Sequence, residues 1–99
     1  MHNRTYHVYI LASRIGGTLH VGVTGNLGGR MFQHREKLTR GFTAKHGVAR
    51  LVHFETFDEA RSAIAREKQL KHWNRAWKIR LIEERNPNWD DLYTAIAGL

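Results

Sequence analysis

The chain contains no cysteine, a single proline and no long apolar run. Without thiols there are no disulfides, thiolate zinc centres or cysteine nucleophiles. A membrane-spanning helix needs about 18 consecutive apolar residues, which no stretch approaches, and the N-terminus lacks the apolar core of a secretion signal. The expectation is a small, soluble, cytoplasmic protein with no membrane partner. Acid is scarce in one half only. Residues 1–50 carry eight Lys and Arg against Glu36 alone, whereas residues 51–99 carry eight of each sign. The 99 residues, 41% hydrophobic, suffice for one domain with a modest core. A net charge of +7 and a pI near 10.4 favour a polyanionic partner, most simply nucleic acid.

Residues 6–11 are rich in β-formers and predict a strand with Tyr6, Val8 and Ile10 on one face and His7, Tyr9 and Leu11 on the other. Thr18 to Val23 predicts a second strand, and the short turn between them favours an antiparallel hairpin. Asn26 suits the N-cap of a helix from about Leu27 to Leu38, with Leu27, Met31 and Leu38 as its apolar stripe. Gly28 and Gly29 sit awkwardly in its first turn, since glycine costs roughly 0.8–1 kcal/mol against alanine in a helix. A polar loop over 39–48 precedes a third strand, Arg50 to Thr56. Asp58 is expected to cap a second helix over 59–72, and a third follows over 75–84. Asn86 and Pro87 end it. Asn88 is expected to cap a last helix with the stripe Trp89, Leu92, Tyr93 and Ile96. The fold class is therefore α/β: a small three-stranded sheet flanked by helices, its first two strands an antiparallel hairpin.

Four features carry chemistry. In the second helix the expected inward stripe is Ala60, Ala63, Ile64, Glu67 and Leu70, so a carboxylate interrupts an apolar row. A buried carboxylate needs a partner. Either a nearby arginine neutralises Glu67, or Glu67 snorkels to the rim, or it holds a divalent cation together with water and a substrate phosphate. Tyr9 and His20 share the less apolar face of the hairpin with His7 and Gly22; they are core residues with polar tips or parts of a site. Arg30 and His34 lie one helical turn apart, on a solvated face or as a clamp for phosphate. Residues 66–80 interleave bases with Trp73 and Trp77, which are core residues or stacking surfaces. The seven histidines are scattered singly, which disfavours a histidine-built metal centre.

These residues resemble the GIY-YIG endonuclease domain, in particular its small stand-alone bacterial members. The two family tripeptides correspond to residues 7–9, ending in Tyr9, and to residues 20–22, ending in Gly22. Arg30 and His34 match the following helix, Glu67 the later metal-binding glutamate, Phe42 to Lys45 a loop motif, and Trp73 to Ala76 a further segment. The resemblance spans about residues 5–83 of a single domain, 1–99, with 86–99 as a C-terminal helical extension. His7 stands for a glycine and His20 for the second tyrosine.

The resemblance implies a DNA endonuclease that hydrolyses phosphodiester bonds with one Mg²⁺ or Mn²⁺ ion, structure-selective in DNA repair or recombination. Tyr9 would activate water and His20 would assist in place of the tyrosine. Arg30 would steady the transition-state charge, His34 would relay protons and Glu67 would hold the metal. Lys45, Lys68, Lys71, Arg75 and Lys78 would track the DNA backbone, and a chain this small leaves room for an accessory protein or a homodimer. The alternative is a nucleic-acid-binding module with weak or no catalysis because of His20. An internal arginine neutralising Glu67, with no hollow nearby, would remove the nuclease reading.

Overall fold

The computed structural model of the protein describes residues 4–39 and 50–96. The expected loop over 39–48, with Phe42 to Lys45, lies outside the described residues, as do the side chains of Lys37 and Leu38. The elements run β1 (Tyr6–Ala12), β2 (Leu19–Thr24), α1 (Leu27–Thr39), β3 (Arg50–Phe57), α2 (Ala60–His72), α3 (Arg75–Arg85) and α4 (Tyr93–Ile96). The sheet order is β2-β1-β3, antiparallel throughout.

Alternation along β1 sorts the core into two layers. Val8, Ile10 and Ala12 face α2 and α3 and pack with Val21, Val52, Ala63, Leu70 and Ile82. Tyr9 and Leu11 face the other way, onto Leu27 and Met31 of α1 and Ile96 of α4. The face expected to be the less apolar is thus also core. A fully buried Leu or Ile contributes roughly 1.5–3 kcal/mol, so the two layers together hold the central strand in register.

Local chemistry sets the helix starts. The Asn26 side chain accepts from the Gly29 backbone N–H at 3.1 Å, as expected of an N-cap. Gly29 is there for clearance, since a Cβ at that position would lie 2.4 Å from Asn26 Nδ2. Asn74 caps α3, accepting from Trp77 N–H at 2.9 Å. Two expected caps are corrected. The N-cap of α2 is Glu59, not Asp58, and its side chain makes no capping bond. Asn88 caps nothing: α4 begins at Tyr93, and Asp91 accepts from the N–H of Tyr93 at 3.1 Å and of Leu51 at 3.2 Å. The reason is tertiary. Trp89 takes a left-handed φ of 55° and enters the α2/α3 layer, while Leu92 N–H donates to Leu51 O at 2.8 Å. Asn86 completes this clasp by donating to Val52 O and Asp90 O at 3.1 and 2.9 Å. The C-terminal segment therefore fills both core layers.

The inward face of α2 also differs from the expected stripe. Ala63 and Leu70 are fully buried, but Ile64 is 44% exposed. Small Ala63 lets the helix sit close to the sheet and centres the buried line on residues 63 and 70. At about 100° per residue, Arg66 and Glu67 then flank that line on opposite sides. Among the described residues no helix is long and apolar enough to cross a membrane.

Candidate active site

Tyr9 sits mid-way along β1, 2% exposed, opposite Gly22 in the β1–β2 register. Its ring lies across that glycine. A Cβ at position 22 would be 2.3 Å from Tyr9 Oη and 2.4 Å from Cζ, so no larger residue fits without displacing the phenol. Two pairs further along, His20 faces the same side from β2. His34 comes from the second turn of α1. The three rings form a triangle, with centroids 6.3 Å apart for Tyr9 and His20, 6.4 Å for Tyr9 and His34, and 5.9 Å for His20 and His34. Two histidines far apart in the chain are thus neighbours in the fold, although no group of three His, Asp or Glu suited to a metal occurs among the described residues.

Three charges act on this triangle: Arg30 from the first turn of α1, and Glu67 and Lys71 from α2. Burial raises the Tyr9 phenol above its ordinary 10.0, against the pull of Arg30 and Lys71. Burial, then Lys71, lowers His20 below its ordinary 6.5; Glu67 opposes this and Arg30 adds to it. Near neutral pH the phenol therefore keeps its proton and the His20 imidazole is neutral, with a lone pair free to accept one.

Glu67 is 14% exposed, and its Oε2 is 2.8 Å from Nζ of Lys71, itself 54% exposed and one turn along the same helix. Among the described residues no arginine pairs with it. The neighbouring guanidinium, Arg66, turns to the other flank of α2 and meets Glu55 instead, Nε to Oε1 at 2.8 Å and Nη2 to Oε2 at 3.0 Å. His53 Nε2 lies 2.8 Å from the same carboxylate. Burial raises Glu55, but the hydrogen bonds and charges of His53 and Arg66 outweigh it and hold the carboxyl at about 2. Sequence reasoning missed this network. Its signal was the two-residue spacing of His53 and Glu55 on one strand face.

The donor set at Glu67 suits a hard divalent cation. One shielded carboxylate, paired with an exposed ammonium, is the usual protein contribution to a Mg²⁺ site completed by water and phosphate. A caged transition metal would need more protein ligands than the described residues bring together.

The remaining expected contacts lie around this cluster. Lys68 is exposed. Arg75 donates to Gly16 O and Gly17 O, both at 2.7 Å, and so ties α3 to the β1–β2 turn. With Lys78, Thr18 and Leu19 it lines a hollow of about 300 Å³ beside β2. Lys45 lies outside the described residues. A larger hollow of about 850 Å³, between Arg4, Tyr6, Asp58 and Arg61, touches none of the clustered side chains.

The resemblance implied a site on the sheet face that shows Tyr9 and His20, beside the first helix, and these two side chains lie next to His34 of α1. The family model of the GIY-YIG catalytic domain matches residues 5–80. The chain belongs to the GIY-YIG family. It is 34% identical over 80 residues to a UPF0213 protein of Clostridium perfringens, covering 81% of this chain and 85% of that one. A UPF0213 protein of the archaeon Natronomonas pharaonis is 37% identical over 79 residues, covering 80% and 92%. Among solved structures, the solution NMR structure of a UPF0213 protein from Bacillus halodurans superposes with a TM-score of 0.56 at 26% identity, covering 88% of this chain and 92% of that one. The GIY-YIG fold is thus confirmed from both sequence and structure, and a family known by its catalytic domain makes a nucleic acid the natural ligand.

Proposed function

We propose that this GIY-YIG protein is a divalent-metal-dependent DNA endonuclease. The observation that carries the reading is the triangle of Tyr9, His20 and His34, from β1, β2 and α1, lying within the field of Arg30 on α1 and Glu67 on α2. Water attacks phosphorus, the bond to the 3′ oxygen breaks, and the products are a 5′-phosphate and a 3′-hydroxyl. The neutral His20 imidazole accepts the proton of the attacking water. The Tyr9 phenol, which keeps its proton, orients that water by a hydrogen bond instead of acting as the base. Arg30 stabilises charge on the phosphoryl oxygens, and His34 fixes the geometry of the triangle. Glu67 holds the cation, which when bound polarises the phosphate and eases departure of the 3′ oxygen. A cation held by Glu67 would take the place of Lys71, which would then contact the DNA backbone with Lys68, Arg75 and Lys78.

The test is nicking of supercoiled plasmid and of branched DNA in Mg²⁺. Glu67→Ala should lower the rate by about 100-fold or more. Its fold should be little changed, because Glu67 is paired only with an exposed lysine one turn along the same helix, and an i,i+4 helix pair contributes only about 0.3–0.5 kcal/mol. An unchanged rate would remove the metal role of Glu67. A second reading, a nucleic-acid-binding module with little catalysis, is favoured by one observation, an imidazole at position 20 where the family has a phenol. It predicts salt-sensitive DNA binding without metal-dependent cleavage.

A further inference from the structure

One hollow lies outside this site and is built from unusual residues. Trp73, at the end of α2, and Trp77, in the first turn of α3, pack edge to face with centroids 5.8 Å apart. Trp77 is 54% exposed, although an indole is among the costliest side chains to leave in water. The Arg66 guanidinium lies over the Trp73 ring at 5.1 Å. Together with Arg80, Leu81 and Glu84 these residues line a cavity of about 370 Å³. Its charges are mixed: Arg66, which is bound to Glu55, and Arg80 lie in the lining with Glu84.

We propose that this hollow is a stacking site for an unpaired nucleobase of the DNA engaged at Glu67, a proposal that rests on the nuclease reading. Several observations favour a base over other occupants. Two indoles and a cation–π-held guanidinium present flat surfaces, which suit a planar ring. Arg80 and the neighbouring lysines complement the flanking phosphates. Glu84, the one carboxylate in the lining, repels phosphate from the cavity itself, so the base enters and the backbone stays outside. Placement fits as well. Arg66 and Glu67 are consecutive and flank the buried line of α2 on opposite sides, so the hollow and the metal-binding carboxylate are separated by one helix, about 10 Å across. A strand crossing α2 reaches both.

The experiment uses the full chain in EDTA, where no cleavage occurs, and two decamer probes of equal charge, oligo-dT and a fully abasic strand. Trp89 is 2% exposed, so quenching of tryptophan fluorescence reports on Trp73 and Trp77. Oligo-dT should quench and bind about 10-fold tighter than the abasic strand, in line with the stacking energy of one base. Trp77→Ala should abolish that difference, while Trp77→Phe should retain most of it. With Mg²⁺, Trp77→Ala should raise KM for a substrate with unpaired bases and leave kcat unchanged. Equal binding of both probes by the wild type would overturn the stacking site and leave the nuclease reading intact. No binding of either probe would overturn both. Dimerisation that sediments without DNA and vanishes in Trp77→Ala would show the face to be a contact between copies of the chain, and would also overturn the proposal.

Discussion

Replacing Gly22 by alanine tests the geometry at the centre of the site. The new Cβ would lie 2.3 Å from Tyr9 Oη, 2.4 Å from Cζ and 2.9 Å from Cε2, whereas ordinary contact begins near 3.4 Å. The ring must retreat by about 1 Å. A surface tyrosine would swing aside at little cost. Tyr9 is buried between α1 and the sheet, so its retreat strains Leu27 and Met31 as well. Overpacking of this kind costs about 1–3 kcal/mol. A 1 Å displacement of a catalytic group costs on the order of 100-fold in rate. Urea denaturation of four proteins checks the first figure: wild type, Gly22→Ala, Tyr9→Ala and the double variant. Tyr9→Ala alone should cost about 3–5 kcal/mol, as large aromatic truncations do. With the ring gone the alanine at 22 has room, so the double variant should be more stable than the sum of the singles by most of the Gly22→Ala cost. Additivity within about 0.5 kcal/mol would refute the argument, because it would mean that the two residues do not touch.

Two further outcomes follow from other parts of the molecule. Glu55 is held at about 2, below its ordinary 4.5, so the stability it contributes is present above pH 4.5 and is lost as pH falls towards 2. The contribution is on the order of 2–3 kcal/mol, and the stability gap between wild type and Glu55→Gln should shrink between about pH 6 and about pH 3. A gap equal at both values in urea titrations would show that Arg66 and His53 do not hold the carboxylate. His20→Tyr separates the two functional readings. It should change nicking at least several-fold in a protein that folds as the wild type does, because the group that takes the water proton has been exchanged for one with a far higher pKa. Identical measurable rates would remove His20 as the base, and no cleavage by either protein would favour the binding module.

The sequence by itself determined which face of β1 each side chain takes, the hairpin, the Asn26 cap, the concentration of positive charge, and Tyr9, Arg30 and Glu67 as residues to watch. Those features are local: strand alternation, cap chemistry and helical spacing each operate within a few residues. Tertiary structure decided the rest. Periodicity fixed the spacing of the apolar row on α2 but not the centre of its buried arc, so Ile64 was expected inside and lies outside. Both Glu55 and Glu67 required a partner, and only distance across the fold gave the guanidinium to Glu55 and left Glu67 with an exposed lysine. The proximity of His20 to His34, the seating of Trp89 in the opposite layer from Ile96, and the exposure of Trp77 likewise depend on which surfaces meet. Contacts between residues far apart in the chain are set by the packing of whole elements, and no spacing within one element encodes them.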